Sequence, residues 1–169
     1  FPICDLMGVG AAKSIFFQAG RGLQSLPAVA TGASANEPLN EIFAMSDITG
    51  DTSFNISVNG VAGIIRVPPG NYVGGTLATA LETRINQISS PLTGVAVGGV
   101  KVAYVPATNN FTFTTGTTGD TSTIKVKGAA RLGLDDVALG VGSVPQITNL
   151  VQATNADGVP LYVDENGET

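Results

Sequence analysis

The pair Asn59-Gly60 constrains the fold of this chain more than any other feature. Before it, Phe54, Ile56 and Val58 alternate with Ser53, Asn55 and Ser57, the pattern of a half-buried strand. After it, positions 61–67 return as a second strand. A two-residue Asn-Gly connection suits a type I′ turn, which needs positive φ at both central positions, so the stretch predicts a β-hairpin. Pro68-Pro69-Gly70-Asn71 cannot continue the ladder and turns the chain. Leu77, Leu81, Ile85 and Ile88 then recur at spacings of four, four and three, which predicts a helix over about 76–88 with a single apolar stripe. Thr76 is its expected N-cap, Glu82, Arg84 and Gln87 lie off the stripe, and Pro91 ends any continuation. A helix with one stripe, next to a hairpin with one apolar face, is expected to lie flat on that face.

More strands follow. Positions 99–105 place Val100, Val102 and Tyr104 on one face. Asn109-Asn110 makes a turn, and Phe111-Thr112-Phe113-Thr114 alternates again. The stretch GTTGD (116–120) leads to a strand over 122–128, with Ile124 and Val126 facing in and Lys125 and Lys127 facing water. Leu132 and Leu134 plug a short closure at 129–134. These elements predict an α+β fold dominated by strands, an antiparallel sheet with one main helix packed on it, over residues 46–145. Residues 1–45 read as an N-terminal arm or linker: 11–26 hold a short helix interrupted by Gly20 and Gly22, and 27–40 (PAVATGASANEPLN) have linker composition. Residues 146–169 read as a C-terminal β segment leading to a neighbouring domain. Ile147, Leu150, Val151, Leu161, Tyr162 and Val163 stand there between the turns Asp157-Gly158 and Asn166-Gly167. The chain opens on Phe1 rather than Met, and the expectation is a piece of a longer subunit.

Charge narrows the function classes. The net charge is -5, and the eight Lys and Arg are scattered along the chain, with only Lys125 and Lys127 reading as a same-face pair. A nucleic-acid surface needs clustered cations, so no nucleic-acid partner is expected. No run is apolar enough to span a bilayer; the longest candidate, 3–17, is broken by Asp5, Gly8, Gly10 and Lys13. The single cysteine, Cys4, excludes an intrachain disulfide and reads as a small apolar residue, because the chain has no His to serve it as a base.

The same lack of His removes nucleophilic triads and leaves zinc without ligands. The stretch GVGAAKS (8–14) echoes a phosphate loop, but Ala12 stands where glycine must precede Lys13, and no strand leads in. The acids Asp135-Asp136, Asp157 and Asp164-Glu165 occur at turns, where turn formation and solubility explain them better than a carboxylate pair. Calcium is the better metal candidate, at the acidic turns 155–158 and 164–168, although neither is a complete loop. Of the three tyrosines, Tyr72, Tyr104 and Tyr162, the first is expected to pin the Pro-Pro-Gly corner. No residue is singled out as catalytic, cofactor-binding or metal-binding, no cofactor is expected, and the chain reads as a non-enzyme.

The order of these pieces resembles the flagellin/hook "IN" motif. It is carried by FNISVNG (54–60), LATALETRIN (77–86) with its closing Ile85-Asn86, and NNFTFTTGTTGDTSTIKVKGAARLGL (109–134) with Gly119, Ser122 and the final LGL. The tail QATNADGVPLYVDENGE (152–168) looks like the segment that follows in large hook proteins. The resemblance covers about residues 50–168; the first 45 depart from it and lack the long heptad helices that build the inner tube of such filaments. It implies a structural subunit domain on the outside of an extracellular bacterial flagellum, in the hook or a related axial part used in motility, and self-assembly with copies of the same protein in a helical or other lattice. A different class stays open: PPGNY (68–72), LATAL (77–81) and FTFT (111–114) also resemble phage and large-virus virion structural proteins, capsid-associated or tail. An adhesin or carbohydrate-binding module is the third reading.

Overall fold

The computed structural model describes residues 24–144. It is β-dominated, with antiparallel sheets and one helix: β1 (Pro27–Thr31), β2 (Phe43–Met45), β3 (Ser53–Val58), β4 (Val61–Arg66), β5 (Gly70–Tyr72), α1 (Gly74–Ile85), β6 (Lys101–Val105), β7 (Asn110–Thr118), β8 (Thr123–Lys127) and β9 (Gly140–Val141). The expected α+β class is what the structure has. The strands form a four-stranded sheet in the order β4-β3-β8-β9, a three-stranded sheet β1-β7-β6 and a two-stranded ribbon β2-β5, and every pairing is antiparallel.

The hairpin forms as its sequence demands. Asn59 and Gly60 have φ of 51° and 80°, and Val58 pairs with Val61 across the turn. Phe54, Ile56 and Val58 are buried, as are Ile124 and Val126 of β8 alongside them. Phe111 and Phe113 of β7 and Leu132 and Leu134 of the closure are fully buried. One core therefore lies between the two larger sheets and beneath the helix.

The helix differs from expectation at both ends. It starts at Gly74, so Val73 is the N-cap and Thr76 is the third helical residue. Thr76 still serves the helix start: its hydroxyl accepts from the Val73 N–H at 3.0 Å and donates to the Val73 carbonyl at 2.9 Å. The helix ends at Ile85, and Ile88 sits beyond it, half-buried over Gly63 of β4. Leu77, Leu81 and Ile85 are fully buried, each burial stabilising by about 1.5–3 kcal/mol. The helix does not lie flat on the hairpin: it packs chiefly on β6 and touches β4 less. Its first turn approaches β6 closely. A Cβ on Gly74 would fall 2.5 Å from the Tyr104 ring, so only glycine lets the helix start sit on β6.

The linker expectation for 27–45 is overturned. Pro27–Thr31 is a strand paired with β7, with Ala28 and Ala30 buried, and Leu39 is fully buried. Phe43–Met45 pairs with Gly70–Tyr72, so the Pro-Pro-Gly corner opens into a short strand rather than a plain turn. The folded body thus begins well before residue 46. Its closure against this segment depends on Gly133, at φ 70°, whose carbonyl accepts from Ala33 N–H at 2.9 Å; a Cβ there would lie 2.1 Å from the Ala33 carbonyl oxygen. Among the described residues no helix is long and apolar enough to cross a membrane. The expected C-terminal segment, 146–169, lies outside the described residues.

Candidate contact surfaces

The polar side chains that the sequence leaves without a role are absorbed into joints between elements. Asn86, which closes the helix, reads the backbone of Val100 as a strand would: its Nδ2 donates to the Val100 carbonyl at 2.9 Å, and its Oδ1 accepts from the Val100 N–H at 2.8 Å. Val100 is fully buried, so the amide satisfies two backbone groups that water cannot reach. One turn earlier Glu82 holds the same strand. Its carboxylate accepts from Lys101 Nζ at 2.9 Å and from the Val102 N–H at 3.0 Å. These bonds, the lysine first, hold its carboxyl below the ordinary value.

Asn109, at φ 50° in the β6–β7 turn, does the same for the N-terminal segment. Its Oδ1 accepts from Leu39 N–H at 3.0 Å and from the Tyr104 hydroxyl at 2.9 Å, and its Nδ2 donates to the Glu37 carbonyl at 2.8 Å. Arg131 forms the third joint. Its Nε lies 2.7 Å from Asp51 Oδ2 and its NH1 3.3 Å from Glu37 Oε1, while its NH2 donates to the Ala44 carbonyl. The guanidinium also stands 5.8 Å from the centre of the Phe43 ring. The carboxylate contacts are close ion pairs without linear hydrogen-bond alignment. Asp51 is buried, and its Oδ1 accepts from Ser46 N–H at 2.9 Å, so its charge is enclosed between Arg131 and backbone.

The residues weighed for chemistry fall into place as follows. Asp135 and Asp136 are exposed in a turn. The Tyr72 hydroxyl donates to the Pro68 carbonyl at 2.8 Å and pins the corner. Tyr104 packs against Phe111, ring centres 5.7 Å apart, and is spent on Asn109. Cys4, the 8–14 stretch, Asp157, Tyr162, Asp164-Glu165 and both calcium candidates (155–158 and 164–168) lie outside the described residues. Among the described residues no group of three His, Cys, Asp or Glu side chains could hold a metal ion.

What faces outward is sheet surface. On the four-stranded sheet Asn55 stands between Ile64 and Lys127, and Ser57 between Ala62 and Lys125. Ile64 is 70% exposed, in an open depression of about 500 Å³. A second surface runs along the seam where β9 meets β1. Leu26 N–H and Ser143 carbonyl bond at 2.8 Å, and Gly140 sits against the Val29 carbonyl, where a Cβ would come within 2.4 Å. The two backbone segments that meet here carry Leu26, Val29, Leu139 and Val141, each about half exposed. Apolar side chains grouped in this way mark contact surfaces more often than scattered ones do. Sequence reasoning missed the seam because it missed β1. No protein-family model, curated protein or solved structure matches the chain.

Proposed function

We propose that this chain is a non-enzymatic structural domain of an extracellular protein assembly, and that the assembly is the bacterial flagellar hook or a related axial part. The exposed apolar seam of Leu26, Val29, Leu139 and Val141 carries the assembly reading, because it offers a ready contact to a neighbouring copy. The flagellar part rests on the resemblance in sequence order and on one further support. Asn86, the last residue of the IN-like stretch, has a defined task in joining the helix to β6. Low charge, 12% of residues, suits a surface that makes many weak contacts in a crowded lattice.

Immunogold electron microscopy with an antibody to this chain tests the reading on native particles of the source organism. Label along the outside of a curved, hollow hook is the expected result. Label on icosahedral shells or phage tails overturns the flagellar part and promotes the virion reading. If no assembly carries label, the structural role falls, and screens for a sugar or other ligand come next.

A further inference from the structure

The turn that organises the hairpin is also chemically its weakest point. Asn59 carries a primary amide, and Gly60 after it has no side chain to shield its nitrogen. Among the described asparagines only Asn59 precedes a glycine. Both residues are exposed, so water and hydroxide reach them, and the Gly60 N–H has no backbone acceptor among the described residues. A pair of this kind can lose its amide without an enzyme. Hydroxide takes the Gly60 amide proton, and the nitrogen attacks Asn59 Cγ. The Cγ–Nδ2 bond breaks, and Nδ2 takes up a proton and leaves as ammonia. Water then opens the five-membered imide, at Cγ to give aspartate or at the Asn59 main-chain carbonyl to give isoaspartate.

The fold holds this amide still. Its Oδ1 accepts from the Thr123 N–H at 2.9 Å, and its Nδ2 donates to the Thr117 hydroxyl at 2.9 Å. The Asn59 N–H donates to the Thr123 carbonyl at 2.9 Å, so main chain and side chain together fix the residue to the start of β8. Thr117 is held in turn. Its hydroxyl lies 2.8 Å from that of Ser122, which lies 2.7 Å from that of Thr115, and Thr115 Oγ1 accepts from the Ala28 N–H at 2.9 Å. Ser122 and Thr115 are buried. The exposed amide is thus the outer end of a hydrogen-bonded chain that runs inward to β1. Closure of the imide ring needs the Gly60 nitrogen on the same side of the Asn59 Cα–C bond as Cβ. A type I′ turn, with ψ of about 30° at that residue, puts the nitrogen on the far side. The turn must therefore open, and the clamp with it, before the ring can close. We propose that Asn59 is a site of spontaneous deamidation gated by its bonds to Thr117 and Thr123. Aspartate lacks the donor to Thr117, and isoaspartate adds a main-chain carbon to a two-residue turn, so neither product rebuilds the clamp as it stood. The proposal goes beyond the assembly reading and does not depend on it.

The test follows the full chain at mildly alkaline pH, folded and in concentrated urea. Peptide mass spectrometry reads the conversion of the Asn59 amide to a carboxyl and the share of isoaspartate. In urea the site is expected to convert freely. In the folded chain it should convert at least about tenfold more slowly, because only the locally opened fraction reacts. Thr117→Val removes the acceptor for Nδ2. For the loss of one hydrogen bond it should speed the folded reaction about two- to tenfold and leave the rate in urea unchanged. Thr117→Ser keeps the hydroxyl and should restore the wild-type rate. Equal rates in the folded and unfolded chain overturn the gate, and no conversion of Asn59 in urea overturns the site itself. A Thr117→Val chain that converts no faster than the wild type overturns the role of the clamp. So does an acceleration shared by Thr117→Ser, or one that merely follows a lowered urea midpoint, because either would come from general loosening of the fold.

Discussion

Replacing Asn86 with alanine tests whether the helix is joined to β6 by an amide or merely by apolar contact. The substitution removes both bonds to Val100, at 2.9 and 2.8 Å, and leaves its N–H and carbonyl without a partner. Val100 is fully buried, and each orphaned buried group costs about 1–3 kcal/mol. Asn86 is itself half-buried, so water entering the vacated space recovers part of this. The expected net loss is about 2–4 kcal/mol. For a chain of this size one kcal/mol moves Tm by about 2–4 °C, so the variant should melt roughly 5–15 °C lower.

Urea denaturation followed by far-UV circular dichroism measures the loss, and the slope should not change, because the same surface is exposed on unfolding. Gln87→Ala, one residue along and exposed, is the control and should stay within about 0.5 kcal/mol of the wild type. If Asn86→Ala costs no more than the control, the pairing with Val100 does not hold the helix in solution. The buried stripe of Leu77, Leu81 and Ile85 would then be its sole anchor.

Three further perturbations probe the other joints. Arg131→Met strands the buried Asp51 carboxylate and should cost about 3–5 kcal/mol in urea denaturation, whereas Glu37→Gln, at the exposed end of the same cluster, should cost about 1 kcal/mol or less. Gly74→Ala drives a Cβ into the Tyr104 ring and should destabilise by about 1–3 kcal/mol despite the better helix propensity of alanine; Gly75→Ala meets nothing within 4 Å and should stabilise by up to about 1 kcal/mol, so equal effects would refute the close approach. Because Lys101 and the Val102 N–H lower the Glu82 carboxyl in the fold, its contribution is fully present above the ordinary value of 4.5 and is lost as pH falls through the lowered one. Stability measured from pH 6 downward should therefore fall less steeply in Glu82→Gln than in the wild type, and parallel curves would remove Glu82 from the account.

The parts of this fold that were legible in the sequence are those whose cause is local. Asn59-Gly60 dictates a turn through φ alone, and Phe54 to Val58 or Ile124 and Val126 show their buried face by alternation. The strand β1 fails that test. Its buried residues, Ala28 and Ala30, are small and poor strand formers, so PAVAT carries the composition of a linker. What makes it a strand is β7, far along the chain: Ala28 N–H even bonds the Thr115 hydroxyl across 87 residues. The three polar joints were hidden for the same reason. Asn109 looks like a turn former until its bond to the Glu37 carbonyl, 72 residues away, is seen. Arg131 looks like a solubilising charge until Asp51 is found beneath it.

That pattern bears on what the surface is for. Each joint ties a long-range pair of elements, and each uses up the polar groups that stand near it, so the body is held as one unit by its interior. The outward features then have no evident part in stability. Leu26, Val29, Leu139 and Val141 expose apolar area at a cost in solubility, and β4 exposes Ala62, Ile64 and Arg66 backbone groups at a risk of uncontrolled pairing. The seam is the surface that the proposed assembly of copies would cover, so charging it should weaken their association. Val141→Asp, in a residue that is 55% exposed and outside the core, should leave the urea midpoint unchanged and still raise the concentration at which the full chain associates. A drop in stability with association intact would show that the seam belongs to the fold rather than to a neighbour.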